Sequence, residues 1–167
     1  MQLDHNSIIE YFRNLNAKAS FFPGESFFRM DLEEIFDAFR KGINYPALAV
    51  ESPDIDLSDS SEQETVNKRM FAFHVYKKPE TDKYQDVQDT LNLCESLGYK
   101  IIARMKKDNY EQNSIIYGAF KPQTVRANQV SKVFTERLYG YRFTGEFSKS
   151  DPLVLDPEDW EDLDSRC

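Results

Sequence analysis

A strand followed at once by a long helix, between Asn67 and Asp108, constrains the fold more than any other part of the sequence. The run Met70–Tyr76 is rich in aromatic and β-branched residues, which predicts a strand that Pro79 ends. The residues after it carry apolar side chains at alternating spacings of four and three, typical of one helical stripe: Val87, Leu91, Cys94, Gly98, Ile101 and Met105. A helix cannot bury such a stripe alone, so the rest of the chain should supply a sheet.

Four further elements are predicted before this stretch. They are a helix over Asp4–Asn16, a short extended piece or loop over Phe21–Met30, a helix over Asp31–Lys41 and a strand over Tyr45–Val50. Asn6 or Ser7 is expected to cap the first helix, with Glu10 completing a capping box with Ser7. The strand is apolar on both faces, which favours a covered position away from the sheet edge.

Two strands, Gln129–Leu138 and Tyr141–Ser148, are predicted after the long helix, with a bend or bulge at Tyr139-Gly140. The order of elements predicts an α+β fold. It has a single antiparallel or mixed sheet of about four strands, covered on one face by helices that include the long amphipathic one. Residues 1–150 are expected to form one domain, and residues 151–167 an acidic C-terminal tail.

The segment Ser52–Glu64 is the clearest loop prediction, because five acids and four serines leave little that could pack. Its acids contribute to a net charge of −8, which disfavours binding to a nucleic-acid backbone and is otherwise explained by solubility. Cys94 is expected in the core and Cys167 at a loose terminus, a usage typical of a reducing compartment. Neither a signal peptide nor a membrane-spanning run is present, so the expected location is the cytoplasm or a particle assembled there.

Motifs for catalysis are absent from the sequence. It has no phosphate loop, dinucleotide fingerprint or G-x-S-x-G, and its two histidines, His5 and His74, fall in different predicted elements. His74 is interpreted as a half-buried structural residue on the strand face opposite Phe71 and Phe73. A calcium loop would need glycine where Asp59 stands. We therefore expect a protein that is not an enzyme, with no catalytic residue, cofactor or metal.

Aromatic residues are unusually frequent, with thirteen Phe and nine Tyr. Two explanations remain open: an aromatic-heavy core, or a subunit interface in which some of them are buried. Trp160, which lies among acids in the tail, is expected to pack on the domain or on a neighbouring subunit if the tail is ordered.

With these elements the chain resembles the tail-terminator and head–tail joining proteins of long-tailed bacteriophages, including lambda-like tail terminators. The resemblance spans Asp31–Ser148 and rests on a helix leading into a short apolar strand, a long acidic segment, a strand, a helix after a short Pro-containing turn, and an aromatic strand pair. Its sequence landmarks are Tyr45-Pro46-Ala47-Leu48-Ala49-Val50, Val75-Tyr76 and Tyr139-Gly140-Tyr141-Arg142-Phe143. The connection through four phenylalanines after the first helix and the acidic tail after Ser150 depart from the family pattern.

The resemblance implies a structural protein of phage or prophage virion assembly that acts through protein–protein contacts. Its subunits would form a homo-oligomeric ring, typically of six, that caps the tail tube and contacts other tail or head-connector proteins. The candidate interaction residues are the acids and the late aromatics: Asp54, Asp56, Asp59, Glu62, Glu64, Tyr139, Tyr141, Phe143 and Trp160. The alternative is a small acidic interaction module, such as an immunity-type protein that binds a basic partner.

Overall fold

The computed structural model describes residues 3–30, 42–61, 64–133, 137–150, 153 and 155–162. Two α-helices, six strands and one 3₁₀ helix lie in these ranges, which confirms the α+β class. Their order is α1 (His5–Lys18), β1 (Phe27–Arg29), β2 (Ala47–Val50), β3 (Asp54–Ser61), β4 (Glu64–Lys77), α2 (Tyr84–Asp108), β5 (Phe120–Val133), β6 (Leu138–Ser150) and the 3₁₀ helix (Pro157–Asp159). The predicted helix Asp31–Lys41 lies outside the described residues.

The six strands form one mixed sheet in the order β1-β2-β4-β6-β5, and β3 pairs with β4 beside β2. Only the β1–β2 pair is parallel; the other pairs are antiparallel. The prediction of about four strands was too low, because β1 has only three residues and β3 lies in the segment that was expected to be a loop. The prediction that the Tyr45–Val50 strand is covered and away from the edge is confirmed, since β2 lies between β1 and β4 and is wholly buried.

Strand β4 is the central element, because its fourteen residues pair with β2, β3 and β6. Its side chains alternate as predicted: Phe71, Phe73 and Val75 belong to the main core, whereas His74 and Tyr76 lie on the opposite face. We call the face that carries Phe71 the helix face and the other the distal face.

Both described helices pack on the helix face. Phe12 of α1 lies with its ring centroid 5.6 Å from that of Phe71 and 5.4 Å from that of Phe73. From α2 the predicted stripe is buried except for Val87, which is half-buried; the buried members are Leu91, Cys94, Gly98, Ile101 and Met105. Aromatic side chains therefore fill much of this core, which favours the first of the two explanations for their number.

A smaller apolar cluster lies on the distal face of β2. Its buried members are Phe28, Ala47, Ala49, Tyr76 and Leu138. The core of this chain is thus two-sided around β2, which explains why all four β2 residues are apolar.

The predicted caps of α1 were wrong. Asp4 is the N-cap: its carboxylate accepts from the Ser7 backbone N–H at 2.7 Å, and the Ser7 hydroxyl accepts from the Asp4 N–H at 2.9 Å. Asp is as good a cap as Asn or Ser, so composition alone could not choose between them. The helix therefore starts at His5.

The segment Ser52–Glu64 was wrongly predicted as a loop. Strand β3 runs through it and pairs with β4 from Asp54 opposite Met70 to Ser61 opposite Glu64. The pairing extends β4 well before Met70, where the sequence shows no strand signal of its own. Backbone hydrogen bonds to a long central strand thus outweigh the low β-propensity of Asp and Ser.

The boundaries of the last hairpin also differ from the prediction. β5 begins at Phe120 rather than Gln129, and its register shifts between Lys121 and Arg126. Tyr139-Gly140 is neither a bend nor a bulge, because both residues pair in register with β4. The irregularity lies across from it, in β5 between Ser131 and Val133.

Candidate functional site

The most organised polar arrangement is a cluster on the distal face, made of Glu51, His74, Tyr76 and Arg142. Glu51 follows β2, and its N–H still bonds to the Ala72 carbonyl of β4 at 3.0 Å. His74 of β4 lies directly opposite Arg142 of β6, and Tyr76 is two residues farther along β4 on the same face. We call these four residues the distal cluster.

Hydrogen bonds connect the distal cluster into one chain. The Arg142 guanidinium binds the Glu51 carboxylate through two atoms, Nε to Oε1 at 2.7 Å and Nη2 to Oε2 at 2.9 Å. His74 Nε2 lies 2.5 Å from the same Oε1, and the Tyr76 hydroxyl lies 2.7 Å from His74 Nδ1. A neutral His74 that carries its proton on Nε2 donates to Glu51 and accepts from Tyr76, which satisfies every group.

The ionisation of the cluster follows from these contacts. The hydrogen bonds from Arg142 lower the pKa of Glu51 to about 2, despite the opposing effect of burial. Burial lowers the pKa of His74, although its hydrogen bond with Glu51 acts the other way. At neutral pH the cluster therefore holds one anion, one cation and a neutral imidazole. Both nitrogens of His74 are engaged within the chain, so the arrangement works as a structural network that fixes three strands.

A cavity of about 340 Å³ opens beside the distal cluster. Two irregularities of the sheet shape it. Where β2 passes into β3, residues 51–53 lie opposite only residues 71 and 72 of β4. In β5, the register shift brings Thr124 to the cavity wall, where its hydroxyl accepts from the Glu146 N–H at 3.0 Å. Bulges often lie beside functional sites. The cavity wall holds three carboxylates, from Glu51, Asp54 and Glu146, together with Arg142. The Glu51 carboxylate already neutralises the charge of Arg142.

A larger cavity, of about 610 Å³, lies between α1 and the C-terminal end of α2. Its most buried charged group is Asp108, which accepts from the Tyr11 hydroxyl at 2.9 Å and from Arg104 Nε at 2.7 Å. Burial and the nearby carboxylate both raise the pKa of Tyr11. These bonds join the two helices, so Asp108 has a clear structural role here.

The predicted acidic residues lie on the hairpin of β3 and β4. Asp54 and Asp56 are exposed on β3, opposite Met70 and Lys68 of β4. Asp59 lies near the end of β3 and Glu64 begins β4. Glu62 lies outside the described residues. The structure thus brings the four described acids onto one strand pair, and the part of all five in binding stays a prediction.

The predicted aromatic residues lie in different surroundings. Phe143 is fully buried and Tyr139 nearly so, whereas Tyr141 is half-buried against the main core. Trp160 is 56% exposed at the end of the 3₁₀ helix. Of these four residues, Trp160 offers most of its surface to a partner, and Phe143 is a core residue of the chain itself.

Sequence reasoning missed the pairing of Glu51 with Arg142, which joins residues 91 positions apart. One signal was available: alternation along β4 and β6 places His74 and Arg142 on faces opposite the aromatic residues. No local sequence signal predicts the register that sets His74 beside Arg142. None predicts the bulge that turns Glu51 towards them.

The sequence matches no protein-family model and no curated protein. Within the described ranges, no three or more His, Cys, Asp or Glu side chains come together in a way that could hold a metal ion. In the same part of the chain, neither α1 nor α2 has the length and apolar character needed to cross a membrane.

Proposed function

We propose that the chain is a non-enzymatic subunit of a phage or prophage virion, a tail terminator or head–tail connector that acts through protein–protein contacts. The observation that carries this proposal is the pair of long, exposed strands at opposite edges of one sheet, β3 and β5. Strands of this kind have unpaired backbone groups and are ready to pair with another chain.

The exposure of β3 supports an assembly surface. Ile55 and Leu57 are 55% and 50% exposed, although both are large and apolar. They lie in register with Arg69 and Asn67 on the helix face, and neither of them belongs to the hydrophobic core of the described residues. Apolar side chains held outwards on a regular strand favour burial against a partner.

The distal cluster supports the same proposal in another way. Its carboxylate, imidazole and guanidinium bind one another, so it stabilises the sheet at the point where β3 leaves β2. A firmly held β3 is what a docking strand requires, since a strand that is ordered before binding loses less entropy on association.

A stop codon early in the gene, in the phage or induced prophage that encodes it, tests this function. If the chain caps the tail tube and docks the head, electron microscopy of lysates should show filled heads and tails that are not joined. The chain supplied from a plasmid should restore joined particles, and a synonymous change at the same codon should have no effect. Normal numbers of joined, infectious particles without the chain would refute the proposal.

The alternative of an acidic interaction module has one observation in its favour, the exposed acids Asp54 and Asp56 on an edge strand. The two functions differ in oligomeric state. At high protein concentration, light scattering should give a multimer if the chain is a virion subunit and a monomer if it is the module. The module should also bind a basic protein in a salt-dependent manner.

A further inference from the structure

The sheet has a step along one edge. Strands β2 and β3 follow each other along the same side of β4, and β1 pairs with β2. This cover reaches Val50, whose carbonyl accepts from the Met30 N–H at 2.8 Å. Among the described residues no strand continues β1 along β3, so one side of the β3 backbone has no strand partner. Within this part of the chain, the step offers a place for one more strand in line with β1.

The regular part of β3 sets the length of such an incoming strand. Pairing with β4 is continuous from Asp54 to Asp59, and the register shifts only between Asp59 and Ser61. At the usual rise per strand residue this stretch is about 20 Å long, which an extended segment of about six residues would cover.

The helix face of β3 carries apolar side chains that β4 does not match. Ile55 is 55% exposed and lies opposite Arg69. Leu57 is 50% exposed and lies opposite Asn67. Neither side chain has an apolar neighbour directly across the β3–β4 pair, so a strand on the other side of β3 is what could supply one. An incoming strand should carry apolar residues at these two rows, because burying the exposed area favours binding.

The distal face of β3 carries acids that are not neutralised. Asp54 and Asp56 are exposed, and neither forms an ion pair with any residue that the structure describes, although Lys68 lies opposite Asp56. Opposite charges at neighbouring positions of two strands are favourable, and like charges are unfavourable. An incoming strand should therefore carry Lys or Arg at these two rows. A second copy of β3 would place acids beside acids, which disfavours pairing of the strand with itself.

The two requirements combine into one pattern, because successive residues of a strand point to opposite faces. We infer that β3 is the docking strand for an extended segment of another protein in which Lys or Arg alternates with apolar residues. The segment joins the edge of the sheet through main-chain hydrogen bonds, and its side chains select it. The pattern holds for both strand directions, since alternation is unchanged by reversal. This surface names the chemistry of a partner for the proposed virion subunit, and it rests on that function for its biological role.

Three labelled peptides of equal length test the pattern by fluorescence anisotropy against the wild-type chain. The first alternates lysines with valines. The second has the same composition, with the lysines grouped before the valines, and the third has glutamates in place of the lysines of the first. The alternating basic peptide should bind with a Kd on the order of 100 µM. The other two should bind at least about 10-fold more weakly, because each places mismatched side chains beside β3.

N-methylation of the alternating peptide tests main-chain pairing. Successive N–H groups of a strand point to opposite edges, so methyl groups on all valines block one edge and methyl groups on all lysines block the other. One of these two peptides should lose binding and the other should keep it, because only one edge of the peptide faces β3.

Two double variants test the protein side of the contact. Asp54→Asn with Asp56→Asn removes both charges and should weaken binding of the alternating basic peptide about 5–10-fold. Ile55→Thr with Leu57→Thr removes apolar surface, while threonine keeps a high β-propensity. This variant should weaken binding about 10-fold.

Matched controls make the same kinds of change in the tail. Glu161→Gln with Asp162→Asn removes two exposed charges, and Leu153→Thr with Leu155→Thr removes two exposed apolar side chains. Both controls should bind the alternating basic peptide as the wild-type chain does. Circular dichroism checks that every variant folds.

Several results would overturn the inferred surface. They are no binding of the alternating basic peptide at about 1 mM, equal binding of the peptide with grouped lysines, like behaviour of the two methylated peptides, or wild-type affinity in both β3 variants. Self-association of the wild-type chain that both β3 variants abolish, measured by light scattering, would assign β3 to a second copy and also overturn the inference.

The proposed function fails separately, if joined particles form without the chain. If joining needs the chain and the peptides do not bind, the surface is wrong and the function stands. If the alternating basic peptide binds as described but joined particles form without the chain, the surface stands and the function is wrong.

Discussion

Replacing Gly98 with Ala tests how closely α2 lies on the sheet. A Cβ at this position would lie 2.0 Å from Cε2 and 2.1 Å from Cζ of Phe143. Ordinary van der Waals contact begins at 3.4 Å, so the helix or the ring must move by more than an ångström. A Gly→Ala change in an unconstrained helix would instead stabilise the chain by about 1 kcal/mol.

The ring of Phe143 has little room to move. It stacks on Phe73 with 5.0 Å between ring centroids and meets Tyr99 edge-on at 5.8 Å. Extra atoms in a well-packed core cost about 1–3 kcal/mol. The contact here is very short, so we expect the upper part of that range and a net loss of about 1–2 kcal/mol after the gain in helix propensity.

Urea unfolding followed by circular dichroism, at one fixed protein concentration, measures this difference. Ser96→Ala, at an exposed position of the same helix, is the matched control and should change the free energy of unfolding by less than about 0.5 kcal/mol. Adding Phe143→Leu to Gly98→Ala should cost less than the sum of the single changes, because it removes the clashing atoms. An increase of about 1 kcal/mol for Gly98→Ala would refute this packing and leave only the propensity term.

Three further predictions concern stability. Leu91→Asp places a charge without a partner under α2 and should abolish the folded circular dichroism spectrum, whereas Leu91→Met should keep it. A normal spectrum for Leu91→Asp would contradict the packing of α2 on the sheet. His74 and Glu51 both bind protons more weakly in the folded chain, so the urea midpoint should fall as the pH drops below about 6.5, and again between about pH 4.5 and 2. Glu51→Gln should flatten the second fall. Equal slopes for the wild-type chain and this variant in that range would exclude the role of Glu51. Asp108→Ala leaves the hydroxyl of half-buried Tyr11 and the guanidinium of Arg104 without their acceptor. It should cost about 1–3 kcal/mol, more than Tyr11→Phe does.

Strong local periodicity explains which elements the sequence predicts well. The α2 stripe from Leu91 to Met105 keeps its spacing over several turns, and every predicted member in that span is buried. The alternation in β4 likewise predicts that His74 faces away from Phe71 and Phe73. In these segments each residue's environment follows from its neighbours in the chain, so no knowledge of tertiary contacts is needed.

The missed features depend on contacts that are distant in sequence. The early part of β5 contains Pro122, and the register shift that follows breaks the period of two, so the sequence predicted this strand only from Gln129. The salt bridge between Glu51 and Arg142 depends on the register of β4 with β6, which local patterns do not determine. The candidate site was therefore less predictable than the fold around it.

The acids of β3 show why composition misled the prediction there. Aspartate is rare in strands, because most strands are half-buried and a buried carboxylate without a partner is unfavourable. At a sheet edge this reason does not apply: Asp54 and Asp56 point into solvent, and the backbone pairs on one side only. Charge at an edge also prevents two identical edges from joining. The feature that made Ser52–Glu64 resemble a loop is thus what allows an exposed strand to avoid pairing with its own copy.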